Sequence, residues 1–395
     1  MVEIATLLTF AIAALASLFM AWAIGAGSSG STPFAPAVGA NAISVMRAGF
    51  LVGLLGFAGA VLQGANVSEA VGTELIDNVV LSPAAATIAL TIAAILVAIG
   101  VFAGYPIATA FTVTGSVIGV GLAMNGDPAW LKYREIATLW ILTPFVGGGL
   151  AYAIARTLRD EPLSERSLIA LLAGVIGALL AHIEFALLGS GEEGASISQA
   201  TSELLPFSRL VGIALVTAVL ALAWALVFWF DTRESIERGE RHFLLVLGGL
   251  VAFSAGGSQV GLAIGPLIPL SGDLGLPLLA LLVGGGFGLL VGSWTGAPRM
   301  IKAIAQDYSS LGPRRSIAAL IPSFAIAQAA VLYGIPVSFN EIIVSSIIGS
   351  GYAASTGGGV SARKMGYTVL AWVLSLVGSV ILSFVGYSAL AWLLF

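Results

Sequence analysis

The chain has no cysteine among its 395 residues, which excludes disulfides and thiolate metal sites. Its two histidines, His182 and His242, lie far apart, so a histidine-based metal site is not expected. Charge is scarce too. Lys, Arg, Asp and Glu make up 9% of the residues, where a soluble domain carries about a quarter. A net charge of −4 offers no basic face for nucleic acid. There is no P-loop, no HExxH and no nucleophile–base set. Neither ATP-driven pumping nor an intramembrane enzyme has a motif behind it, and no cofactor is called for.

What is plentiful is apolar. Hydrophobic residues are 58% of the chain and mean hydropathy is +1.03. Most of such a chain sits in lipid. Apolar runs of about 17–25 residues mark spans. They fall at about 4–24, 43–62, 83–103, 107–124, 135–156, 167–189, 207–230, 242–270, 276–297, 316–334, 338–356 and 366–393. The expected fold is therefore an all-α polytopic membrane protein with about twelve transmembrane helices. The first run is longer than a signal-peptide core and is read as retained. Trp130, Trp140, Trp229 and Trp392 lie near span ends and read as interfacial belts.

The connections alternate in sign. Glu69, Glu74 and Asp77 mark one loop, and Glu192, Glu193 and Glu203 another. Arg156, Arg159 and Arg166, then Arg233, Arg238 and Arg241, then Arg299, Lys302, Arg314 and Arg315, then Arg363 and Lys364 mark the basic ones. Lys and Arg stay cytoplasmic, so the N-terminus is placed outside a cell membrane and 63–82 outside with it. Lys132 and Arg134 are the exception.

Two stretches interrupt the apolar pattern. Gly25-Ala26-Gly27-Ser28-Ser29-Gly30-Ser31-Thr32-Pro33-Phe34-Ala35-Pro36 holds three glycines, four hydroxyls and two prolines in twelve positions. It cannot remain helical. Ser254-Ala255-Gly256-Gly257-Ser258-Gln259-Val260-Gly261-Leu262-Ala263-Ile264-Gly265-Pro266 is its counterpart in the second half, and is also expected to be broken. The loop charges run the two in opposite directions. Gly104-Tyr105-Pro106 and Gly334-Ile335-Pro336 form a second pair, each opening a span that reads as a full crossing or a re-entrant half-helix. Paired breaks in opposed halves point to a secondary transporter with a site at the repeat interface. The expected division is an N-terminal transport repeat at 1–125, linking helices at 126–241 and an inverted C-terminal repeat at 242–395.

These positions resemble the inorganic phosphate transporter (PiT) family. That family repeats a GAND-x-AN motif and a P-x-S-T-T-H motif in each half. Gly256 to Leu267 follows the second copy of the first motif without a gap. Gly25-Ala26-Gly27-Ser28 follows the first copy. Pro106 to Gly121 and Pro336 to Gly349 fit the other frame. The polar identities differ. Gly27-Ser28 and Ser258-Gln259 stand where the family has Asn-Asp, and Ala108-Thr109-Ala110-Phe111 and Ser338-Phe339-Asn340-Glu341 stand where it has Ser-Thr-Thr-His.

The resemblance implies a carrier of inorganic phosphate driven by Na+ or H+. A permease for another oxyanion such as sulfate is the alternative. Substrate contacts are expected from Gly27, Ser28, Ser29, Ser31, Thr32, Thr109, Thr112, Ser258, Gln259, Ser338 and Asn340, which supply hydroxyls, amides and freed backbone N–H groups. Glu341 is the surviving carboxylate in a motif frame and is expected to couple the ion. The expected partners are phosphate, the cation and membrane lipid, with the oligomeric state open.

Overall fold

A computed structural model of the chain describes residues 4–185, 188–189, 194–353 and 360–394. Glu192 and Glu193 lie outside the described residues. The chain is a helical membrane protein. In order it forms α1 (Ile4–Gly27), α2 (Ala35–Gly39), α3 (Val45–Gln63), α4 (Ala65–Thr73), α5 (Pro83–Ala103), α6 (Thr109–Ala123), α7 (Trp130–Asp160), α8 (Glu165–Ala181) and α9 (Ile197–Ser202). There follow α10 (Arg209–Asp231), α11 (Ile236–Ile264), α12 (Ile268–Ser271), α13 (Leu278–Thr295), α14 (Ala297–Asp307), α15 (Pro313–Leu332), α16 (Phe339–Tyr352) and α17 (Ala362–Leu394). Two short antiparallel strand pairs join loops: β1 (Ile76–Asp77) with β2 (Asp127–Pro128), and β3 (Glu184–Phe185) with β4 (Ala195–Ser196).

Nine helices among the described residues are long and apolar enough to cross a membrane. The expectation of about twelve had also counted α6, α8 and α16. These have 15, 17 and 14 residues. At about 1.5 Å per residue they reach only ~21–26 Å, short of a ~30 Å hydrocarbon core. For α6 and α16 the cause is local. Each starts after a glycine in the left-handed region, Gly104 (φ 74°) or Gly334 (φ 60°), followed two residues later by proline. The turn consumes chain that would otherwise be helical.

The first interrupted stretch is broken as expected. Helix α1 ends at Gly27, and turns carry the chain to α2. The second is not broken as expected. Helix α11 runs unbroken through Ser254 to Ile264, and only Gly265–Leu267 turns to 3-10 geometry. The difference is proline. Gly25–Pro36 has two and lacks a helical exit. Ser254–Ile264 has none, and its glycines cost about 1 kcal/mol each, which packing recovers.

That packing is backbone against backbone. An added Cβ at Gly256 would run into the carbonyl of Gly56 on α3, and one at Gly59 into the carbonyl of Phe253. On the other side, Gly25 of α1 faces the Leu289 carbonyl of α13, and Gly292 of α13 faces that of Trp22. Small residues permit such crossings in lipid. Helices α5, α6 and α17 gather beside α1, and α15, α16 and α7 beside α11; α8 and α10 pair with each other and touch α11 lightly. Gly256→Val should force α3 and α11 apart. Overpacking costs about 1–3 kcal/mol. Thermal unfolding in detergent should fall well below that of Gly284→Val, because an added Cβ at Gly284 meets nothing within 4 Å. Equal transitions for the two variants would contradict this.

The loops sort by sign at the two ends. Arg314 of α15 bonds Glu165 at 2.6 Å and also Glu161, and Lys364 reaches Asp307 at 3.1 Å, so the basic loops share one end. At the other, Lys132 pairs with Glu74 at 2.6 Å, beside the β1–β2 pair. The cation that had looked misplaced is neutralised by an acid on the same face.

Candidate substrate site

Three chain breaks or helix starts converge on the unbroken helix α11 in the middle of the protein. The end of α1 supplies Gly27 and Ser28, the start of α6 supplies Thr109, α11 supplies Gln259, and the start of α16 supplies Asn340. All five residues are buried, and the four side chains are 0% exposed. Thr109 Oγ1 donates to Gln259 Oε1 at 2.7 Å and lies 3.3 Å from Ser28 Oγ. Ser28 Oγ donates to the same Oε1 at 3.3 Å. Gln259 Nε2 donates to the Val337 carbonyl at 2.7 Å. One side chain thus ties α1, α6 and the entry to α16 onto α11.

Asn340 makes the matching tie. Its Nδ2 donates to the Gly27 carbonyl at 2.9 Å and to the Ile107 carbonyl at 2.6 Å. The three carbonyls held by Gln259 and Asn340 belong to residues at or beside helix breaks. Without these amides they would be unsatisfied acceptors in the interior, each costing about 1–3 kcal/mol. Satisfied, they also repel an anion less.

Unused capacity remains. Ser258 Oγ, Asn340 Oδ1 and Glu341 Oε2 are buried and have no hydrogen-bond partner among the described residues. The backbone N–H groups of Ser29 and Gly30, just past the end of α1, find no acceptor there either. The N-termini of α6 and α16 open at the same junction, and their dipoles favour negative charge.

The remaining expected residues have more local roles. Ser31 Oγ and Thr32 Oγ1 donate to the Ser28 carbonyl at 3.2 and 3.0 Å and shape the turn. Thr112 donates to Ala108 of its own helix at 2.9 Å. Ser338 caps α16 by accepting from the Glu341 N–H at 3.4 Å. Ser29 is buried in the turn. Glu341 is 2% exposed, and its carbonyl accepts from Ser345 Oγ at 2.6 Å.

Sequence reasoning missed the supports. Trp140 does not sit in an interfacial belt. Its ring stacks on Phe111 with centroids 3.9 Å apart, and its Nε1 donates to the Pro336 carbonyl at 2.9 Å. Trp372 does the same for Pro106 at 2.7 Å. Each Gly-x-Pro turn is therefore held by an indole from a long neighbouring helix, α7 or α17. The available signal was the shared spacing, since both tryptophans stand 232 residues apart and the two prolines 230. Toward the acidic end, Gln328 Nε2 donates to Ser254 Oγ at 2.6 Å and Gln63 Oε1 at 3.3 Å, while Gln63 Nε2 reaches the Glu184 carbonyl at 2.7 Å. Burial pushes the Glu184 carboxyl up from its usual range.

A sequence model of the phosphate transporter family matches residues 24–383. The chain belongs to the phosphate transporter family. The match to this family spans both motif pairs and the helices between them. Among its relatives is the chloroplastic inorganic phosphate transporter 2-1 of Arabidopsis thaliana, 24% identical over 92% of this chain and 69% of that one. A protein of Chlamydia trachomatis with a provisional phosphate-permease name is 24% identical over 92% of this chain and 94% of its own. The fold matches a solved structure, "The sodium-dependent phosphate transporter", with a TM-score of 0.81 at 22% identity, covering 98% of this chain and all of that one. Members of a phosphate transporter family are carriers, not enzymes.

Proposed function

We propose that the chain carries inorganic phosphate across the cell membrane as a secondary transporter driven by a cation. The observation that carries this is the junction of Ser28, Thr109, Gln259 and Asn340, at which both halves meet among freed helix ends. Two hydroxyls, two free N–H groups and two helix N-termini suit a tetrahedral oxyanion. On arrival, phosphate takes the donors that now serve Gln259 Oε1. Membership of the phosphate transporter family selects phosphate over sulfate.

The site sits between two repeats of opposed direction, with the N-terminus outside. Support comes from contacts: Ser28 touches Gln259 while Ser17 bonds the Ala263 carbonyl at 2.8 Å, so α1 ascends where α11 descends. The Trp140 and Trp372 pair extends the repeats through α7 and α17. On that reading α8–α10, within 126–241, form the linking region. Glu341 couples the ion. The motif positions held by acids in the family are Ser28 and Gln259 here, which carry no charge. Ionisable groups at membrane depth mark ion pathways. The unpartnered oxygens of Glu341, Asn340 and Ser258 are suited to a proton or a hard cation.

The test is uptake of radiolabelled phosphate into proteoliposomes, with Na+ and H+ gradients imposed in turn. Saturable uptake, stimulated by one gradient and competed by arsenate more than by sulfate, is expected. Uptake equal to empty liposomes, or sulfate as the preferred substrate, would overturn the assignment.

A further inference from the structure

A cavity of about 430 Å³ lies away from the junction, between α7, α16 and α17. Its walls include Phe145, Gly148 and Gly149 of α7, Val344 and Ile348 of α16, and Trp372 of α17. It lies within the ~300–1,000 Å³ range of small-molecule sites. It is open on its flank, where Phe145 is 73% exposed and Val369 46% exposed. Helices of this length and composition meet lipid there.

Basic residues stand just beyond one end of the cavity, next to residues that line it. Tyr152 lines it, and Arg156 Nη1 donates to the Tyr152 hydroxyl at 3.1 Å. Arg159 donates to the carbonyl of Ala353, next to the lining residue Tyr352. Arg363 lies 5.6 Å from the ring centroid of Tyr367, next to the lining residue Thr368. One carboxylate, Asp160, shares two of these arginines, at 3.3 Å from Arg156 and 2.7 Å from Arg159. Three guanidiniums against one acid leave the rim positive. They belong to the basic loops at one end of the molecule.

We infer that this groove is a binding site for one anionic phospholipid, with an acyl chain in the cavity and the headgroup phosphate at Arg156 and Arg363. The apolar wall takes only hydrocarbon. The basic rim selects charge, as basic pockets between membrane helices do at the cytoplasmic face. Guanidiniums match phosphate oxygens in a fork. The lipid lies along α16, whose start carries Asn340 and Glu341. Ser345 and Ile348 line the cavity one and two turns beyond Glu341 on the same helical stripe. Its occupancy therefore bears on the helix that completes the phosphate site.

Native mass spectrometry of the purified protein tests this directly. Phosphatidylglycerol should be retained as one molecule per chain, and phosphatidylcholine should not. Gly149→Phe should abolish retention, since an added Cβ at Gly149 meets nothing within 4 Å and the ring fills the groove without forcing backbone apart. Arg156→Gln and Arg363→Gln, at exposed positions, should each weaken phosphatidylglycerol about fivefold. Equal retention of both lipids, or wild-type retention by Gly149→Phe with an unchanged thermal transition, would overturn the site. Neither readout depends on phosphate being the transported anion.

Discussion

Gln259→Leu should lower phosphate uptake at least tenfold while the protein remains folded and monodisperse. Leucine matches the glutamine closely in volume, so the packing of α11 survives. Three bonds do not survive: those from Thr109 and Ser28 to Oε1, and that from Nε2 to the Val337 carbonyl. Val337 then presents a bare carbonyl at the entry to α16, and both hydroxyls lose their alignment. Each buried group left unsatisfied costs about 1–3 kcal/mol, and 1.4 kcal/mol is already a factor of ten. The loss should concentrate in the occupied or transition state, because the amide positions the donors that phosphate uses. Initial rates of labelled phosphate uptake across a concentration series provide the measurement. Wild-type uptake by the leucine variant would show that the junction is a structural clasp and that phosphate binds elsewhere.

Glu341→Gln should separate transport from accumulation. The carboxyl is 2% exposed, and its Oε2 has no partner among the described residues. Its backbone is already served by Ser338 and Ser345, so the substitution leaves the start of α16 intact. Glutamine fills the same volume but carries neither a titrating proton nor a charge for a cation. Uphill uptake driven by an imposed gradient should vanish. Exchange of labelled for unlabelled phosphate at equilibrium should stay within about twofold of wild type, less than half the 1.4 kcal/mol that a tenfold change represents. Gradient-driven accumulation equal to wild type would place the coupling ion elsewhere, for example among the carbonyls at the end of α1. Loss of exchange together with accumulation would instead make Glu341 part of the substrate site.

The order of the chain carried much of this plainly. Too few charges and long apolar runs leave only a membrane protein, because no other environment accepts that much exposed hydrocarbon. Pro33 kept the chain after Gly27 from resuming a single helix with α1, and the Gly-x-Pro pairs ended α5 and α15, because these residues act on their own backbone whatever surrounds them. The charged connections sorted into two ends for the same reason, since each loop meets water independently. Ser28, Thr109 and Asn340 could be marked as candidates because they are polar residues at or near such breaks, and Gln259 because a break was expected there that α11 does not show.

Other features depended on partners that no local pattern contains. Helix α11 stays continuous through three glycines because the backbones of Gly56 and Val67–Ser68 and the side chain of Gln63 press into the space those glycines leave. Trp130 and Trp140 look alike from their positions near a helix start. One is 68% exposed, while the other stacks on Phe111 and holds the Pro336 carbonyl. Of the hydroxyls in the two motifs, only Ser28 and Thr109 reach Gln259; Thr112, Ser31 and Thr32 turn back to carbonyls within four residues. The chain alone thus determined the breaks, the membrane habit and the stock of polar groups, all of which are properties of single residues and their neighbours in sequence. The tertiary structure alone decided which carbonyls lie open beside Asn340 and Gln259, because that depends on where three distant helix ends come to rest against α11.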